Sequence, residues 1–180
     1  VLFSGGNAQS VTMPTAGNFN TLTINKSDNT WSTATAAAAS TANLTLQGSG
    51  TITFTGDFDV TGAFSNPLGS SLSVSFTGDG TQIDPNAEFN TTGTVTIGDN
   101  STDTLTFGGG FTHTAGNTAL NGTLATTSDN VTIDTLVLGG ASVIDTDVGG
   151  GNITISGAIT NAAPQTLTLT AGAGNIETNG

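Results

Sequence analysis

The sequence contains no cysteine, no tyrosine and no arginine, and Lys26 is its only basic side chain. Without cysteine there is neither a disulfide framework nor a thiolate metal site. With one cation against 13 acids and a formal net charge of -12, there is no electrostatic footprint for a nucleic-acid backbone or an anionic membrane surface. No run of about 18 apolar residues exists, so no helix is expected to insert in a membrane. Charged residues make up 8 % of the chain, against roughly 25 % in an average soluble domain. The surface must therefore be built from Thr, Ser, Asn and Gly.

Modest hydrophobicity with a high net charge alone would suggest disorder, but the apolar residues are not scattered. They recur in period-two triplets: Leu22-Thr23-Ile24, Leu44-Thr45-Leu46, Ile52-Thr53-Phe54, Leu72-Ser73-Val74, Val95-Thr96-Ile97, Leu105-Thr106-Phe107, Val131-Thr132-Ile133, Ile153-Thr154-Ile155 and Leu167-Thr168-Leu169. Each is followed within a few positions by Gly, Asn or Asp, which reads as short strands and tight turns. The triplets return at a loose spacing of roughly twenty residues, within the range of solenoid repeats.

The chain is accordingly expected to be all-β, a single domain over 1–180 folded as a right-handed parallel β-helix or forming part of a longer repeat protein. Apolar residues would point inward and Thr would form outer ladders, with a loop insertion at 26–42. Within that insertion the alanine-rich Thr33 to Ala42 is too short for a stable isolated helix. A second loop is expected around Asp84-Pro85-Asn86. The alternative is a β-sandwich or jelly-roll subunit of the pilin type, because Gly69 to Asn121 repeats least regularly.

Two stretches, Gly17 to Lys26 leading into Asn43 to Phe64 and Val131 to Ile176, resemble repeats of filamentous-haemagglutinin-like and autotransporter-like bacterial surface proteins. The resemblance implies an exported, extracellular stalk or fibre used in adhesion or surface coating. It carries no catalytic residues over.

Enzymatic function is not expected. The acids are mostly turn Asp, only Glu88 and Glu177 are Glu, and little is present to stabilise developing negative charge. The one histidine, His113, cannot make a transition-metal site alone and is read as a partly exposed strand residue. Gly108-Gly109-Gly110 and Gly149-Gly150-Gly151 are read as tight corners, since the Lys of a phosphate loop is missing. No cofactor is expected, but Asp57, Asp59, Asp145 and Asp147 are calcium candidates, because calcium takes six to eight oxygen ligands that turn Asp can supply. Further turn Asp residues lie at Asp79, Asp99, Asp103 and Asp129. Lys26 in its NKSDN run is read as exposed, with a Lys to Asn isopeptide bond as the sharper alternative. Sequons at Asn25, Asn43, Asn90, Asn100, Asn121, Asn130 and Asn152 make glycosylation an option.

Assembly residues are expected at the termini. Val1, Leu2 and Phe3 form an uncharged apolar strand, Ile176 lies near the other end, and uncapped solenoid ends tend to polymerise. The partners would be further copies, or adjacent repeats of a chain that continues, with a host or glycan surface also in reach. Two other functions are open. One is an ice- or crystal-binding Thr ladder, suggested by Thr-x-Thr at 21–23, 51–53, 94–96 and 104–106 but opposed by their uneven spacing. The other is a carbohydrate-binding helix using Trp31.

Overall fold

A computed structural model describes residues 1–12, 18–33, 39–147 and 149–179. Among these there is no helix, and the chain winds as a parallel β-helix of about eight turns. Three faces recur in chain order. Face 1 carries β1 (Leu2–Gly5), the second half of β3 (Asn18–Lys26), the second half of β5 (Ala39–Gly48) and the end of β7 (Phe58–Ser65). It continues with β10 (Ala87–Glu88), the starts of β13 (Phe111–Thr126) and β14 (Val131–Asp145), then β15 (Ile153–Ile155) and β18 (Ile176–Thr178). Face 2 carries β2 (Gln9–Val11), β4 (Thr30–Thr33), β6 (Thr51–Phe54), β8 (Ser73–Phe76), β11 (Val95–Ile97), the middles of β13 and β14, and β16 (Ile159–Asn161). Face 3 takes the starts of β3, β5 and β7, then β9 (Gln82–Ile83), β12 (Thr104–Phe107), the ends of β13 and β14, and β17 (Leu167–Thr170).

Every ladder among the described residues is parallel. That rules out the jelly-roll alternative, whose strands would run antiparallel. The irregular middle of the sequence belongs to the same stack, because the spacing varies only where the chain turns. Partner residues lie 18 positions apart between Thr118 and Leu136 and 25 apart between Ile144 and Leu169. The strands themselves stay in register, and corners of different length absorb the difference. The insertion expected at 26–42 is narrower than that range: Thr30–Thr33 is β4 and Ala39 opens β5, while residues 34–38 lie outside the described residues. The Asp84 to Asn86 segment is the short link between β9 and β10.

The alternating triplets bury their apolar members. Leu22, Ile24, Leu44, Leu46, Ile52, Val95, Ile97, Val131, Ile133, Ile153 and Ile155 are all buried in one core. An aromatic column threads the first turns. Trp31 lies 5.6 Å from Phe3 and 5.4 Å from Phe54, and Phe54 stacks on Phe76 at 4.9 Å. The column runs on through Phe89, 6.3 Å from Phe76, to Phe111 at 5.5 Å. Each such ring pair contributes about 0.5–1.5 kcal/mol beyond its burial. Past Phe111 the interior is aliphatic.

The corners require glycine where two coils touch. Gly48 has φ +105° and its main chain presses on the coil above, so a Cβ there would sit 1.8 Å from the Lys26 carbonyl oxygen. Gly69 has φ +83° with open space around it. Gly48→Ala is therefore expected to cost on the order of 3 kcal/mol, whereas Gly69→Ala should cost only the left-handed backbone penalty of about 1–2 kcal/mol. Urea unfolding followed by circular dichroism measures both, and equal losses would contradict the close-approach account.

Candidate functional site

The candidate metal ligands serve the backbone. Asp57 Oδ1 accepts from the Gly80 amide at 2.8 Å and Asp59 Oδ1 from the Gln82 amide at 3.1 Å, in each case from the following coil. Asp145 Oδ1 accepts from the Asp147 amide at 2.9 Å, closing a turn in which Asp147 has φ +62°. The two pairs lie on different coils. Among the described residues no three His, Asp or Glu side chains form a group that could hold a metal ion. The Asp59 carboxyl is pushed up from the usual carboxylate range, first by burial, against the Gln82 amide, and then by the charges of Asp57 and Asp84.

Asp103 is buried, with Oδ2 accepting from the Asp99 and Asn100 amides at 2.8 and 2.9 Å. Its Oδ1 finds no partner among the described residues. Above it the exposed Asp99 carboxyl is raised, first by desolvation and then by the Asp103 charge.

Two side chains are placed differently from their sequence reading. Lys26 is fully buried, because its stem packs in the corner under Gly50 while Nζ donates to the Asn7 carbonyl and, at 3.4 Å, to Gln9 Oε1. Neither partner is an asparagine side chain or an acid, which is not the arrangement an isopeptide bond requires. His113 is also fully buried, since its side chain points into the core beside Phe89. A carbonyl only accepts, so Nε2 donates to Thr91 O at 3.1 Å, leaving Nδ1 to accept from the Thr118 hydroxyl at 3.0 Å. Both ring nitrogens of the neutral imidazole are thereby satisfied, and the ring is a structural plug with no free nitrogen to act as a base.

The glycine runs are corners: Gly110 has φ +100° and Gly150 φ +87°. Trp31 Nε1 lies in the core with the ring fully buried, so it offers no face to a sugar. Several sequon asparagines are tied into the stack. Asn43 Nδ2 donates to Asn20 O, Asn90 Nδ2 to Asn66 O and Asn121 Nδ2 to Asp99 O, at 3.2, 3.0 and 2.8 Å. A feature missed from sequence is an asparagine ladder at the corner before face 1. Asn130 Oδ1 accepts from the Asn152 amide at 2.8 Å, and Asn152 Oδ1 from the Asn175 amide at 2.9 Å. The signal was present as Asn-Val-Thr-Ile, Asn-Ile-Thr-Ile and Asn-Ile-Glu-Thr, each opening a strand of the same face.

One groove of about 460 Å³ lies beside the exposed loop tip at Leu68, lined by Asn25, Gln47, Ser49, Pro67 and Ser71 among others. Its lining holds no acid and no histidine. The terminal coils present Leu2, Ile159 and Ile176 at the surface. No known protein family, no curated protein and no solved structure matches this chain.

The burial of His113 has a measurable consequence. Desolvation lowers the pKa of its imidazolium below 6.5, outweighing the Thr91 carbonyl and the Asp134 charge, which raise it. Between that lowered value and the unfolded value the unfolded chain binds a proton that the folded chain does not, so stability falls as pH drops below about 6.5. The raised acids Asp59 and Asp99 act with the opposite sign, since the folded chain holds their protons more tightly than the unfolded chain does and they favour the fold as pH falls. Denaturant midpoints from pH 7.5 to 5 should decline for the wild type and stay flatter for His113→Gln. Parallel profiles for the two proteins would show that His113 does not titrate as described.

Proposed function

We propose that this chain is a non-enzymatic structural module of an extracellular or cell-surface fibre, its coils continuing by stacking onto further coils. The observation that carries this reading is the unbroken parallel stacking of about eight coils, each hydrogen-bonded to the next along its main chain in a pattern that any further coil can extend. Among the described residues β1 and β18 each pair on one side only, and apolar Leu2 and Ile176 stand exposed on them, with Glu177 the charged side chain beside Ile176. Val1, Phe3 and Ile176 are the assembly contacts under this reading. The next coil comes from a second copy or from further repeats of the same polypeptide, and both give the same local pairing.

Several features support the absence of catalysis. Asp57, Asp59, Asp103 and Asp145 are engaged by backbone amides, the one histidine is satisfied in the core, and the groove at Leu68 is lined by no acid or histidine. The resemblance to filamentous-haemagglutinin-like and autotransporter-like repeats is the finer reading, and it accords with a β-helical repeat scaffold free of cysteine. Calcium at the corner acids is an accessory reading in which Asp57, Asp59, Asp145 and Asp147 would contribute carboxylate oxygens.

With a net charge of -12 on each copy, end-to-end association should be weak at low salt and strengthen as salt screens the repulsion over a Debye length of about 10 Å or less. Electron microscopy and sedimentation of the purified chain should show elongated particles that lengthen between about 0.02 and 0.5 M salt. Ile176→Asp should return them to single units. Separate particles of constant size across that range, in both proteins, would refute self-association.

A further inference from the structure

Face 2 differs from the other two faces in what it shows to solvent. Thr30-Trp31-Ser32, Thr51-Ile52-Thr53, Ser73-Val74-Ser75 and Thr94-Val95-Thr96 lie on four consecutive coils, with the central residue of each in the core. The register is unbroken: Thr30 pairs with Thr51 and Thr51 with Ser73, while Ser10, Ser32, Thr53, Ser75 and Thr96 form one continuous column. Thr94 completes the first column, its amide donating to Ser73 Oγ at 3.3 Å. The uneven sequence spacing that opposed a flat array is taken up entirely in the corners. What remains is a two-column lattice of hydroxyls with repeats of about 4.8 Å between coils and about 6.6 Å along each strand.

Charge provides a second, independent observation. The chain carries 13 acidic residues, and none occupies an outward position of face 2. Asp59 and Asp145 lie on face 3, Glu88 and Glu177 on face 1, and Asp28, Asp79, Asp99 and Asp134 stand at the corners that flank face 2. The neutral lattice is thus bounded by acids and contains none.

We propose that face 2 is a docking surface for a flat, uncharged, periodic partner, and specifically for the ordered water of an ice surface. Three alternatives fit less well. A second copy meeting face to face would cover on the order of 300 Å² a side for eight strands of these dimensions, against about 800 Å² a side in a stable complex. A soluble sugar is held in a concave site with ring-stacking aromatics, whereas this face is a ladder of parallel strands with Trp31 fully buried beneath it. A crystalline polysaccharide would want the same stacking rings. A rigid lattice of methyl-bearing hydroxyls, held by the core on its other side, needs none of these: it orders water at its own repeat without further loss of side-chain freedom. Below Thr96 the column continues as Ala119 and Val137 before Thr160, so the array is strongest over the first five coils.

The test uses the whole chain and two variants whose β-type circular dichroism is unchanged. Thr53→Tyr places a bulky ring in the middle of the lattice, and Thr132→Tyr places the same ring outward on face 1. Wild type and Thr132→Tyr should slow ice recrystallisation and give a freezing hysteresis, and Thr53→Tyr should lose both. The proposal is overturned if the wild type leaves ice growth unchanged, or if both variants lose the effect equally. It is equally overturned if Thr53→Tyr abolishes retention on crystalline cellulose or a concentration-dependent dimer while ice growth is unaffected. None of these readouts depends on fibre formation, so each stands or falls separately from the assembly reading.

Discussion

The structure rests on one constraint: each coil must present its main-chain amides and carbonyls to the next coil about 4.8 Å away, with inward residues in the same register. Leu22 over Leu44, Val131 over Ile153 and Ile52 over Val74 are consequences of that register. A residue slipped by one would turn an apolar row to solvent and a hydroxyl row into the core. The strands are short, and the longest contacts are between neighbouring turns. Stability is therefore accumulated coil by coil, and no single distant pairing decides the fold.

Most polar residues in the interior are paired across the coils, while Trp31 Nε1, Asn66 Oδ1, Asp103 Oδ1 and Asn121 Oδ1 find no partner among the described residues. Thr91 accepts from His113 with its carbonyl while its hydroxyl donates within the same corner to Leu72 O. Asn66 is buried and donates Nδ2 to Leu46 O at 2.9 Å, while its main-chain carbonyl accepts from Asn90 Nδ2 at 3.0 Å, bridging the place where the face 1 ladder between β7 and β10 is interrupted. Lys26 fills its corner on equal terms, with a main-chain carbonyl in place of a carboxylate. A buried polar group left alone costs roughly 1–3 kcal/mol, so these positions are fixed as firmly as the apolar ones.

Much of this was legible in the sequence, and the rest was hidden for identifiable reasons. Period-two alternation exposed the strands and the inward residues, because burial on one side of a strand leaves a direct imprint on composition. The coil length was legible only loosely, since Gly98 to Asp103 makes a long corner where Asn121 and Gly122 make a short one. Lys26 and His113 were misread as exposed because residue type alone favours the surface, and only the neighbouring coil supplies the carbonyls that let them stay inside. Trp31 looked like a surface platform for the same reason. The common face of Thr51–Thr53 and Thr94–Thr96 was invisible until the corners between them were counted out in three dimensions.

The acidic, nearly lysine-free composition follows from the corners. Where the chain turns, the ladder is interrupted and an amide of the next coil loses its carbonyl partner. An acceptor is needed there, and it must reach across one coil spacing from a short stem. Asp57 meets Gly80 N, Asp59 meets Gln82 N, Asn43 meets Ala63 N, and Asn130 and Asn152 meet the amides of Asn152 and Asn175. A lysine or arginine has only donors to give and cannot fill that role. Stacked carboxylates repel by about 1 kcal/mol per pair in water at such distances, and a charge-assisted bond to an amide offsets a cost of that size. Net charge is thus a by-product of closing the corners, and it leaves face 2, whose strands pair along a parallel ladder, free to be neutral.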